Sequence, residues 1–155
     1  MGEEEKRRNI REDTDWIGLF SLGFFLITIG TLWMITPNLT EEVINFFKDF
    51  QLVHLTEHII LPAPAHSHPV VYTAALQFCL VFGLFQIIIL ILRFIFGSSL
   101  NKKAETLSGA GFWLTMSLFL QMLINENIGW FGLIGGLVTS IGIAITLSSL
   151  LKLLG

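Results

Sequence analysis

The chain has 155 residues, of which 53% are hydrophobic and only 14% charged, against about 25% charged in a typical soluble domain. That deficit excludes an ordinary water-soluble globule, and the length implies one domain. A net charge of −3, with no basic patch beyond the N-terminus, argues against a nucleic-acid partner.

Residues 1–15 form a polar tail carrying Lys6, Arg7, Arg8 and Arg11. The apolar run 16–35 follows. It is longer than the ~7–15 residues of a signal-peptide core and has no small-residue cleavage site, so it reads as a retained first span. Three more long apolar stretches follow: 70–96, whose uncharged part is 70–92, then 106–124 and 128–152. Each is close to the ~20 residues that a helix needs to cross a bilayer core. The expected fold class is an all-α integral membrane protein. It would be a four-transmembrane-helix bundle with an amphipathic extracytoplasmic helix between spans 1 and 2.

Basic residues orient the spans. With the N-terminus cytoplasmic, eight of nine Lys and Arg fall inside and only Lys48 outside, a strong bias under the positive-inside rule. The expectation is a multi-pass protein of the cell membrane with both termini cytoplasmic. Glu41, Glu42, Asp49, Glu57 and Glu126 then make the outer face acidic. Trp16, Trp33, Tyr72 and Trp130 fall near span ends, where amphipathic rings suit the headgroup region, whereas Trp113 lies deeper. An inner loop 97–105 joins spans 2 and 3. The short outer turn 125–127 makes spans 3 and 4 a tight hairpin.

The outer segment 36–69 is the one long connection, and such loops are usually functional or disordered. Its first part, about 40–50, reads as a helix with Thr40 as N-cap and Glu41 and Glu42 in the first turn. Leu39, Val43, Phe46, Phe47 and Phe50 recur at helical spacing, which suits a helix lying on the membrane or, alternatively, packed over the bundle mouth. Asn38-Leu39-Thr40 is a formal glycosylation sequon, read here as an unused tripeptide close to the headgroups.

The second part holds every histidine of the chain: His54, His58, His66 and His68. Residues 54–58 match H-x-x-E-H, a zinc-protease pattern that puts both imidazoles and Glu57 on one face if the stretch is helical. His66 and His68 share a side if the Pro-rich stretch after Pro62 is extended. His54, Glu57, His58, His66 and His68 together would be an outward site for Zn or Cu, for which imidazole is a suitable ligand. Proteolysis would need a third ligand and a cleft, so the motif match is judged fortuitous and no catalytic residue is assigned. Leu52-Val53 and Ile59–Leu61 would suit a short strand equally well. A histidine pH sensor is a further reading.

The spans carry no ionisable side chain in their uncharged parts, which argues against a proton-coupled transporter, a pump or an intramembrane haem. Gln77, Thr115, Ser117 and Gln121 are the candidates for a polar pore in an oligomeric channel. Cys79 is alone and reads as a packing residue. Small residues recur in span 4 at four-residue steps: Gly132, Gly136, Ser140, Ala144 and Ser148. Such a ridge lets helices approach closely. It serves either packing on span 3 or association with a second copy or a membrane-complex partner. The leading functional expectation is a non-catalytic scaffold or accessory subunit using this ridge. A metal-binding membrane protein and a small channel are the alternatives.

Overall fold

The computed structural model describes residues 2–154, with side chains from Trp16 onwards. In chain order the elements are α1 (Gly2–Ile35), α2 (Leu39–Lys48), β1 (Phe50–Thr56), β2 (Ile59–Pro64), α3 (Pro69–Ile95), α4 (Leu100–Ile124) and α5 (Trp130–Leu154). α3, α4, α5 and the 16–35 part of α1 are each long and apolar enough to cross a membrane. The protein is a multi-pass membrane protein.

One element departs from the all-α expectation. β1 and β2 form an antiparallel hairpin in register from Phe50↔Pro64 to His54↔Ile60, with an irregularity before Thr56↔Ile59. The reason lies in the residues. Val53, Ile59 and Ile60 are β-branched, and Pro62 and Pro64 preclude a helix through the second strand. Glu57 and His58 form the two-residue turn, yet neither takes positive φ. The tight turns that match strand twist need positive φ, so the bulge at Leu55 accommodates the mismatch.

Helix ends follow local chemistry. α2 starts two residues earlier than a Thr40 cap would place it. Its N-cap is Asn38, in the left-handed region at φ 56°, which asparagine tolerates better than most residues. Thr40 instead accepts a hydrogen bond from Trp33 Nε1 at 3.1 Å, tying α2 back to α1. α3 ends in a full Schellman closure: Ser98 N–H reaches Arg93 O, Gly97 N–H reaches Phe94 O, and Gly97 sits at φ 65°. α4 begins at Leu100, behind Ser99, so most of the stretch read as an inner loop is its first turns. It ends in the same closure, but there Glu126 occupies the left-handed position at φ 58°.

The membrane helices pack mainly as a row in chain order. α4 lies between α3 and α5, and α1 leans chiefly on α3, with no extensive packing of α1 on α5 among the described residues. The α1–α3 seam is aromatic. Phe24 stacks on Phe85 with centroids 3.7 Å apart, and Phe25 meets Phe78 and Phe82 edge-on. Trp113 of α4 reaches the same cluster, edge-on to Phe78 and Phe82. Such ring pairs add about 0.5–1.5 kcal/mol each beyond area burial.

The α5 ridge faces α4. Gly136, Ser140 and Ala144 are buried, and a Cβ added at Gly136 would collide with the Phe119 ring. Gly132 remains exposed and Ser148 half-buried. The seam is tight on both sides: Gly111 of α4 leaves no room for a Cβ against Leu147, and Gly83 of α3 none against Leu114.

Candidate functional site

The capped end of the helix row, built from α2, the hairpin and the start of α3, holds all four histidines and Asp49. Phe46 is its centre. The ring meets Phe50, His68, Tyr72 and Trp130 with centroids 5.1–6.1 Å apart. Trp130 Nε1 donates to Pro62 O at 3.1 Å, fastening the hairpin to the start of α5. α2 therefore packs over the ends of the helices through Phe46 and the buried Leu39, while Phe47 stays 69% exposed.

Asp49 locks this cap. It directly precedes β1, and the closing strand pair Phe50↔Pro64 sets it opposite the chain leaving β2. Its carbonyl accepts Ala65 N–H at 3.0 Å. Its carboxylate accepts His66 N–H at 2.7 Å, and it pairs with His66 Nδ1 at 2.9 Å and His68 Nε2 at 3.0 Å. The ring bond from His66, then that from His68, then the His66 N–H hold the Asp49 carboxyl well below its ordinary range. In the neutral state each ring must carry its proton on the nitrogen that faces Asp49. That leaves His66 Nε2 and His68 Nδ1 as acceptors. His68 is buried and His66 is 80% exposed at its side chain.

The structure thus divides the five residues read as metal ligands. His66 and His68 meet on Asp49, which sequence reasoning did not select. His54 lies on β1, with Glu57 and His58 in the turn beyond it. The H-x-x-E-H stretch is not helical, so its helical facing does not arise. Among the described residues, no three His, Cys, Asp or Glu side chains converge to hold a metal. A closed structural zinc site takes four ligands and a catalytic one three. Asp49 was detectable only through the hairpin pairing, because 17 residues separate it from His66.

The candidate pore residues are dispersed as well. Thr115 and Ser117 give their hydroxyls to Gly111 O and Leu114 O on their own helix. Gln121 donates to Asn125 at 3.2 Å. Gln77 instead lines a cleft between the end of α1 and the start of α3.

A second small-residue stripe runs along α5, roughly 130° round the helix from the buried ridge. Gly135, Thr139, Gly142 and Thr146 are all exposed, and neither glycine has a neighbour within 4 Å of an added Cβ. The two threonines bond back to Gly135 O and Gly142 O, so no hydroxyl is left seeking a partner in lipid. Thr139, Gly142 and Thr146 border a shallow groove of about 390 Å³.

Comparisons with protein-family models, with curated proteins and with solved structures return no match.

Proposed function

We propose that this protein is a non-catalytic membrane scaffold or accessory subunit that associates with a partner through a bare helix face. The observation carrying this reading is the α5 stripe Gly135–Thr139–Gly142–Thr146, exposed while the neighbouring ridge is already packed on α4. Without a hydrophobic driving force between helices in lipid, close approach over small residues is the main source of association. The row arrangement supports the reading too, because α5 ends the row and its outer face has no extensive packing among the described residues.

The proposal includes an orientation: cell membrane, both termini cytoplasmic, hairpin outside. Arg93, Lys102, Lys103 and Lys152 support it by gathering at the end opposite the hairpin. A cysteine at Glu57 should react with an impermeant maleimide added to intact cells, while one at Lys102 should not. The reverse pattern would invert the topology.

Association is tested by blue-native electrophoresis and crosslinking in mild detergent. Wild-type protein should run as an oligomer or with a co-purifying membrane partner, and Gly142→Leu should run as a monomer. A wild-type protein that is strictly monomeric with no partner would sink the reading.

A further inference from the structure

We infer that the cleft between α1 and α3 is a binding site for a single membrane amphiphile with an uncharged hydrogen-bonding headgroup. The two helices touch through Phe24 and Phe25 but part company above them. From Ile29 to Ile35 α1 is mostly exposed, and a Cβ added at Gly30 meets nothing. The gap is a wedge of about 380 Å³ that runs from Thr36 and Pro69 down to Gln77. The Phe25–Phe78 edge contact, at 5.5 Å, follows one residue after Gln77 on α3. That volume falls within the ~300–1,000 Å³ of ordinary small-molecule sites.

The lining specifies the ligand. Ile35, Val70 and Ala74 supply apolar wall, while Thr36, Thr73 and Gln77 supply hydrogen-bonding groups. Thr73 and Gln77 are one turn apart on α3. Gln77 lies about 12 Å along the helix from Pro69, well below the span end. A glutamine at such depth normally finds a partner, because hydrocarbon offers none. Unlike Gln121, which bonds to Asn125, Gln77 is exposed and has no protein partner among the described residues. Its amide can donate and accept at once, as a hydroxyl or ester headgroup requires. No ionisable side chain lines the cleft, so an anionic or zwitterionic headgroup gains nothing there over bulk lipid. The site is independent of the α5 stripe and stands whether or not the chain associates.

The test uses the full chain in phosphatidylcholine vesicles carrying a diazirine-bearing diacylglycerol, with crosslinked peptides mapped by mass spectrometry. Labelling should concentrate on 31–37 and 69–77 and be displaced by unlabelled diacylglycerol. Diazirine-bearing phosphatidylserine should label the same peptides no more than it labels 138–146. Gln77→Leu should reduce the displaceable labelling by about fivefold or more, the scale of one lost hydrogen bond. Thr73→Leu, which fills the wedge and leaves the Gln77 amide in the chain, should reduce it as far and serves if Gln77→Leu does not reconstitute. Labelling that is not displaceable, that is equal on 138–146, or that survives both substitutions would overturn the inference. So would crosslinks placing a helix of another chain in the wedge.

Discussion

The Asp49 carboxylate accepts three hydrogen bonds at the base of the hairpin, and ionisation strengthens each of them. Because its folded value lies below the ordinary 3.8, the contribution to stability is complete above that pH and is lost only as pH falls further. Hairpin amides should therefore keep their hydrogen-exchange protection from neutral pH down to 3.8 and lose it below. Asp49→Asn should speed their exchange at neutral pH by about tenfold or more and abolish the acid step. Protection unchanged in that variant would show that the aromatic cluster alone holds the cap. Trp130→Phe isolates a different contact. It keeps the ring against Phe46 and Phe50 but deletes the donor to Pro62 O, which should cost about 0.5–1.5 kcal/mol of cap docking, read from the same amides. None of this pairing was legible as local pattern. The i, i+2 spacing of His66 and His68 was visible, but their shared acceptor is brought to them only by strand pairing.

The spans were legible because hydrocarbon imposes length and apolarity on every stretch that crosses it. The hairpin was far less so. Ile59–Pro62 is apolar on both faces and Leu52–Leu55 is broken only by His54, so period-2 alternation is missing, and Glu57-His58 lacks the Gly or Asn that advertises a tight turn. The small-residue pattern of α5 was legible as packing chemistry but not as a direction. Four-residue steps drift by about 40° each, and only packing decides which part of that drift meets α4. Two substitutions separate the faces. Gly136→Leu should destabilise the α4–α5 hairpin by about 1–3 kcal/mol in reversible detergent unfolding, since Phe119 occupies the space. Gly142→Leu should leave that stability unchanged while removing association. At the α4–α5 turn Glu126 sits where a glycine is at ease. Glu126→Gly should raise stability by about 0.5–1 kcal/mol in the same assay, and a loss would mean its side chain makes a stabilising contact.

Across the whole molecule, the four spans pack chiefly in chain order, as a row. The reason is visible in the seams. α4 presents close-packed glycine contacts toward both α3 and α5, whereas α1 offers phenylalanines to α3 and little else. Phe85→Ala, which removes the ring on which Phe24 stacks, should free α1, cost about 3 kcal/mol or more, and expose 16–35 to limited proteolysis in detergent without disturbing α3–α5. Equal loss of protection in α4 and α5 would contradict the row. Such a row also has a temporal meaning. Each membrane helix packs chiefly on helices adjacent to it along the chain, so assembly can keep pace with synthesis. Each new span finds its neighbour already inserted and none must wait for a later one to shield it. α5 inserts with α4 already in place, and among the described residues its outer side stays vacant.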